Sequence, residues 1–455
     1  MPNLTEAFPH QRETSRFILE REGSLVLSDP GTGKTRCVLD AFVEHRQANP
    51  DARLVVTCPK GIMQAAWGGD IQKFQPHLNV AYSTSGKKRR DAFASSAEVV
   101  VMNHEGVNNA KDWINEFSPE NMWYVGDEFT WFKNPTAKRS RSCLKFVENI
   151  PKKTLMSGTP FSSTVCDIFM PMKILDGGAT LGANYYRFRN MMQYPVMKGQ
   201  FREWKDKQDA MDKITLLLHD IAIRYAIEEV CELPEMGVID YKFDLNPKLR
   251  GYFNQLKEEA ELTLSQGQLT PVNAGVLANK IRQVLAGVVY GDDREVLVLD
   301  DQRTKLVLDI AQEHDSAVIA FQWNHQKEQL MMEAYKRNMK YGVIDAQASV
   351  EERTEIVNLF QTKQIDYIFS HPRCLAHGYT LTRSATTIWA SPESSYELYH
   401  QFNARVYRNT QTRNTQVIRI LSNDTGERRA FDRVDGMTVT NEEFLRIIAE
   451  QTATS

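Results

Sequence analysis

Short, continuously apolar runs punctuate the first third of the chain, at residues 25–27, 54–57, 99–102, 123–125 and 154–156. Between them apolar residues recur at helical spacing, as at Cys37, Val38, Ala41 and Phe42. Apolar strands alternating with amphipathic helices predict a parallel sheet covered on both faces. The same alternation returns at residues 317–321, 341–345, 367–370, 387–390 and 417–421. From about Ile174 to Gln302 the texture differs. "ITLLLHDIAIRYAIEEV" and "LRGYFNQLKEEAELTL" read as helices, and strands are sparse. Leu233-Pro234 breaks the chain, and "VIDYKFDLNP" reads as a strand entering the second half. The pattern therefore predicts an α/β protein of two lobes. Residues 1–233 form the first, with a helical extension from about 174, and 234–455 the second, with a helical insert to about 302. No internal repeat or low-complexity tract is seen, and the tail "EQTATS" is expected to fray.

A length of 455 residues exceeds one hydrophobic core, in keeping with two lobes. Apolar residues at 42% and charged residues at 25% are ordinary for a soluble globular protein. A net charge of -3 excludes a broadly basic, histone-like binder but leaves room for a local basic groove. The six cysteines are scattered without a CxxC pair, as in a reducing compartment with no disulfide frame or zinc ribbon. "MPNLTEAFPHQ" has neither an apolar core nor a basic leader, and no run is long enough to span a bilayer. The expectation is a cytoplasmic protein without a membrane partner.

The chemistry starts at "SDPGTGKT", residues 28–35, between an apolar run and a helical pattern. Gly31, Thr32 and Gly33 let backbone N–H groups turn inward around a β-phosphate. Lys34 can then reach β- and γ-oxygens, and the Thr35 hydroxyl can ligate Mg²⁺. The strict pattern wants glycine six residues before the lysine, where this chain has Ser28. A strand–helix turn with incidental glycines is the bland alternative. In "WYVGDEFTWFKNP", Asp127 and Glu128 follow an apolar strand. An aspartate there can hold Mg²⁺ through water, and the glutamate can deprotonate an attacking water. Alone, the pair also fits a solvated acidic loop. "SGTP" supplies Ser157 and Thr159 at another strand end, where their hydroxyls could couple the phosphate site to the far lobe, though the string by itself signals a turn. In "HQFNARVYRNTQT", Arg405 and Arg408 are three apart and would share one helix face. Such guanidiniums stabilise a γ-phosphate in its transition state, and a solvated basic helix is the alternative. His371, Cys374 and His377 have spacing that could bind a metal, but no fourth ligand lies nearby in the sequence.

Taken in order, these pieces resemble a superfamily 2 helicase-type motor, and within it the Snf2-like branch, from Phe8 to about Leu421. "FPHQ" resembles the adenine-sensing segment, with Gln11 as its glutamine. "SDPGTGKT" is similar to motif I, and "VVTCPKGIMQAAW", with Pro59 and Trp67, to motif Ia. "VVVMNHE" resembles motif Ib, "GDEFTWFKN" motif II, "SGTP" motif III and "AVIAFQWNHQ" motif IV. The stretch "HPRCLAHGYTLTRSATTIWASPESSYELYHQFNARVYRNTQ" resembles motifs V and VI end to end. Departures stand at Phe129-Thr130, where the family usually has Ala or Gly then His, at Asn403-Ala404 and at Thr410, where it often has Gly.

The resemblance implies two RecA-like lobes with parallel sheets flanked by helices. It implies ATP and Mg²⁺ as cofactors and a catalytic set of Lys34, Asp127, Glu128, Arg405 and Arg408. Gly378, beside His377 in motif V, joins Gln11 and residues 31–35 around the nucleotide, with Thr35 and Asp127 toward the metal. Nucleic acid contacts carry over by motif position to Lys60, Asn103 and Thr382, while "GKKRR" (86–90) and "KRSR" (138–141) are basic runs that touch phosphate or simply face solvent. The implied activity is an ATP hydrolase that moves along or remodels DNA, duplex or branched, as a minimal bacterial or phage-type monomeric motor. A strand-separating helicase on DNA or RNA, and a nucleotide-switched scaffold with little turnover, remain as alternatives.

Overall fold

A computed structural model describes residues 6–198, 201–265, 271–290, 296–375 and 378–454. The chain divides into two compact units, Met1–Glu232 with Gly436–Ser455, and Leu233–Asp435.

The first unit is built on seven strands: β1 Gly23–Val26, β2 Arg53–Cys58, β3 Val80–Ser83, β4 Val99–Asn103, β5 Met122–Asp127, β6 Lys152–Met156 and, after the ribbon described below, a short edge strand Ala222–Ile223. The sheet order is β3-β4-β2-β5-β6-β1 followed by that edge strand, and every pairing is parallel. The apolar runs of the sequence are these strands. Leu54, Val56, Val99, Val101, Trp123 and Val125 share a buried cluster with Val38 and Phe42 of the helix Lys34–Ala48. Alternate residues Val55, Val100 and Tyr124 are equally inaccessible on the other face. Burial on both faces is why the strands read as unbroken apolar runs rather than as alternation.

Register sets the site. Val26 pairs with Met156, and Met156 with Asp127, so β1, β6 and β5 end level at the carboxyl edge of the sheet. Residues following parallel strands gather at that edge, where α/β sheets place their ligands.

The extension beyond residue 174 departs from the expected run of helices. Strands β7 Gln193–Lys198 and β8 Phe201–Asp206 form an antiparallel ribbon. The string read as one helix over 214–230 is also broken. Its helix Ala210–Leu218 stops, Ala222–Ile223 (β9) joins the sheet beside β1, and a turn of helix resumes at Ile227–Val230. An apolar stretch of that length fits either state locally, and pairing with β1 decides it.

The second unit carries a six-stranded sheet of β10 Met236–Phe243, β13 Ala317–Ala320, β14 Tyr341–Ile344, β15 Tyr367–Ser370, β16 Thr386–Trp389 and β17 Thr415–Ser422, while β11 Val288–Tyr290 and β12 Val296–Val298 pair separately. Its order is β10-β17-β16-β13-β15-β14, again all parallel. Each unit is thus an α/β lobe on a parallel sheet flanked by helices, as the alternation predicted. Helices Pro247–Ser265 and Pro271–Leu285 occupy the predicted insert. The helix Arg428–Thr454 changes the expected boundary at the chain's end, because its residues from Gly436 onward group with the first unit. There Asn441 is fully buried, bonding both backbone N–H (3.1 Å) and carbonyl (3.0 Å) of Phe161, and Phe444 packs edge-on against the Phe161 ring. Among the described residues no helix is long and apolar enough to cross a membrane.

Candidate nucleotide site

The loop after β1 wraps the start of the helix Lys34–Ala48. Gly31 and Gly33 adopt left-handed conformations, with φ of 92° and 88°. A Cβ on Gly33 would stand 2.3 Å from Gln11 Nε2, so glycine is required by contact as well as by conformation. Gln11 Nε2 and His10 Nε2 both donate to the Thr32 carbonyl, at 3.0 and 2.9 Å, and Gln11 Oε1 accepts from the Phe8 N–H. Gln11 thus braces the glycine loop itself.

Ser28, the departure from the strict motif, has a structural reason. Its hydroxyl accepts the Tyr225 N–H at 3.1 Å, and neighbouring Asp29 accepts from Ile227 N–H (3.0 Å) and Arg224 (3.3 Å). The segment following β9 therefore clamps the loop. Gly158 closes it from the other side, since a Cβ there would lie 2.8 Å from Pro30 Cδ.

Lys34 folds its ammonium onto the Ser28 (2.7 Å) and Asp29 (3.2 Å) carbonyls. Burial pulls it below the ordinary lysine range, while Glu128, Asp127 and Asp29 pull it back up. Asp127 ends β5 and is buried, which pushes its carboxyl upward; the Trp67 indole N–H, 2.9 Å from Oδ2, and Lys34 oppose that rise. Trp67 lies at the end of a wide π-type turn, Met63–Gly68, a local geometry common at functional sites. His104 donates to the Asp127 carbonyl at 2.7 Å and stacks on Trp131. Glu128 sits in left-handed space at φ 53° and ψ 57°, strained for a non-glycine residue. The Ser157 hydroxyl donates to Glu128 Oε2 at 3.1 Å and accepts the Thr159 N–H at 3.1 Å. The Thr159 hydroxyl is buried without a hydrogen-bond partner. Motif III is thus wired directly to the acidic pair, despite Phe129-Thr130.

Thr35 opens the helix beside Lys34. Asp127 and Thr35 are hard oxygen donors suited to Mg²⁺, and among the described residues no cluster of three His, Cys, Asp or Glu could hold an ion unaided. Mg²⁺ at such a site takes its remaining ligands from phosphate and water.

Of the nucleic acid candidates, Lys60 is exposed just past β2, whereas the Asn103 side chain is engaged by Arg89, at 3.4 Å to both terminal nitrogens. The basic runs are partly structural: Arg89 is buried, Arg90 pairs with Glu116, and Arg139 binds the Trp131 carbonyl and Glu105.

In the second unit, Arg405 and Arg408 do not share a helix face. The helix Tyr396–Asn403 ends before them, and the following turns carry both guanidiniums onto the Tyr379 carbonyl, at 3.3 and 3.2 Å. Leu381 N–H donates to the Arg405 carbonyl (2.8 Å), so non-local bonding replaces helical continuation. Gly378 next to them has φ 87°. Thr410, the departure in motif VI, bonds hydroxyl to hydroxyl with Thr382 at 3.1 Å. His377 lies outside the described residues, and His371 Nδ1 accepts the Arg373 N–H.

Residues 302–410 match the helicase conserved C-terminal domain. The matched segment runs from the helix Gln302–Gln312 to just past Arg408. The chain is similar to protein p41 of Acyrthosiphon pisum secondary endosymbiont phage 1, 21% identical with 82% of each chain covered. It is 24% identical to the Caenorhabditis elegans homolog of SWI/SNF-related matrix-associated actin-dependent regulator of chromatin subfamily A-like protein 1, covering 86% of this chain. The chain spans 55% of that protein's length. Among solved structures, the Sulfolobus solfataricus SWI2/SNF2 ATPase core in complex with dsDNA aligns with 99% of this chain and 95% of that one, at 19% identity and a TM-score of 0.45. The likeness to SWI/SNF-related proteins thus runs over most of the chain, while the family match is confined to residues 302–410.

Trp67, His104 and Asp29 were not among the residues expected at the site. Trp67 was visible only as a motif residue; its hydrogen bond joins positions 60 apart in the sequence.

Proposed function

We propose that the protein is an ATP-driven motor on nucleic acid, a Snf2-like translocase on double-stranded DNA of the minimal bacterial or phage type. The observation that carries this reading is the meeting, at one edge of the first sheet, of Lys34 with Asp127 and Glu128, and of Glu128 with Ser157. A lysine beside two buried or strained carboxylates is an arrangement that phosphate and Mg²⁺ would complete. Triphosphate oxygens would take the Lys34 ammonium from the loop carbonyls it now touches. Glu128, aimed by Ser157, would orient water and accept its proton. Bound Mg²⁺ would neutralise phosphate charge, with Asp127 and Thr35 on its protein side. Arg405 and Arg408 would carry transition-state charge on the γ-phosphate.

Glu128→Gln should lower DNA-stimulated ATP hydrolysis by about 10²-fold or more while fluorescent ADP still binds; turnover at the wild-type rate would refute the assignment. Triplex displacement without duplex unwinding would mark translocation, and unwinding alone would favour the strand-separating helicase.

A further inference from the structure

The ribbon β7–β8 has no part in the nucleotide chemistry of the first unit. Its base is built in. Asp206 accepts Gln193 Nε2 at 2.7 Å on one oxygen and the Val165 N–H at 3.2 Å on the other, and Lys207 N–H donates to the Met192 carbonyl at 2.8 Å. Val165 lies on the loop that follows motif III, where Lys133 donates to Ser162 and Asp167 gathers the Ser162 and Ser163 N–H groups. Arg189 of the helix Tyr185–Met192 stacks on Trp204 at 3.8 Å and lies 5.3 Å from the Tyr186 ring, joining helix to ribbon.

Past that base the ribbon meets solvent on both faces. Tyr194, Pro195 and Met197 on one strand, and Arg202, Glu203 and Lys205 on the other, are exposed. A solitary two-stranded ribbon is marginal in water, so its persistence with large side chains outward calls for an occupant. The composition says which. Between Tyr185 and Lys207 stand six basic residues against two acidic ones, on a chain whose net charge is -3. Tyr186 is 62% exposed and Tyr194 45%, so each ring keeps a solvent-facing side among those cations. Cations track a phosphate backbone, and aromatic faces stack on bases. Bases in a duplex already stack on each other, so open tyrosines are suited to unpaired ones.

We propose that this ribbon, with the helix Tyr185–Met192, is a contact surface for unpaired nucleotides at a branch or gap in DNA. The proposal rests on the motor reading above. Through Asp206 and Val165 the surface is tied to the loop that continues from Ser157, the partner of Glu128.

The test uses the full chain with two double variants, Tyr186→Ala/Tyr194→Ala and Arg202→Ala/Lys205→Ala, each first shown to melt at the wild-type temperature. Fluorescence anisotropy at fixed salt then compares a blunt duplex with the same duplex carrying two single-stranded arms. The tyrosine variant should weaken forked-DNA binding about tenfold or more and leave blunt-duplex binding within about twofold. The charge variant should flatten the salt dependence of fork binding by about 0.7 in log–log slope per contact removed. Equal losses on both DNAs would overturn the assignment to unpaired nucleotides. Unchanged binding of both would overturn the surface as a DNA contact and leave a protein partner as its occupant. Wild-type protein that binds neither DNA would instead sink the motor reading, which separates the two failures.

Discussion

Trp67 shows how much one side chain contributes to the first unit's acidic pair. Its indole N–H binds one oxygen of the buried Asp127 and so holds the carboxylate's orientation. Trp67→Phe keeps the ring and removes the donor. It should cost about 1.5–3 kcal/mol of stability, typical of a hydrogen bond to a charged group, and raise the Mg²⁺ concentration needed for tight binding of fluorescent ADP; denaturant melts and an Mg²⁺ titration check both. In the second unit His400 is packed against Tyr396 and Tyr399, and burial holds its pKa down at about 4 despite Asp435. The unfolded chain takes up that proton near the ordinary histidine value of 6.5, so it binds more protons than the folded chain between the two. Stability from this group is therefore complete above about pH 6.5 and is lost as pH falls toward 4, by about 1.4 kcal/mol per pH unit. His400→Gln should flatten the stability–pH curve across that window, read by urea melts from pH 4 to 7.

The loop of motif III acts as a link as much as a turn. Ser157 holds Glu128, Gly158 abuts Pro30, and the chain beyond reaches Phe161, whose backbone Asn441 satisfies. Ser157→Ala should leave ADP binding near wild type and reduce DNA stimulation of ATP hydrolysis more than the unstimulated rate, because Glu128 loses the group that aims it; phosphate-release assays with and without DNA measure the difference. The inner strands of both sheets were legible in sequence because burial on two faces makes them continuously apolar, whereas the part-buried edge strand β3 was not read. The ribbon was not, since a strand pair wet on both faces has no apolar alternation to betray it. Nor was β9, where two residues leave a helical pattern to pair with β1. Arg405 and Arg408 were placed on the wrong element, because the helix stops at Asn403 and both side chains turn to Tyr379.

At the scale of the molecule, the last residues of the chain complete a unit begun by the first. Asn441, Phe444, Leu445 and Ile448 are buried there. Asn441→Ala would orphan the Phe161 N–H and carbonyl, costing about 2 kcal/mol or more. Calorimetry should show this as a lowered transition of the first unit, and removal of residues 436–455 should lower it further while the second unit's transition moves less. The sequence by itself determined the local matters. It set which runs become strands, where the left-handed glycines must fall and which side chains suit phosphate, because backbone preference and charge are carried by neighbouring residues. Tertiary structure alone decided which distant groups meet. Trp67 reaches Asp127 across 60 positions and Asn441 reaches Phe161 across 280. Such pairings depend on sheet order and register, which no local pattern encodes.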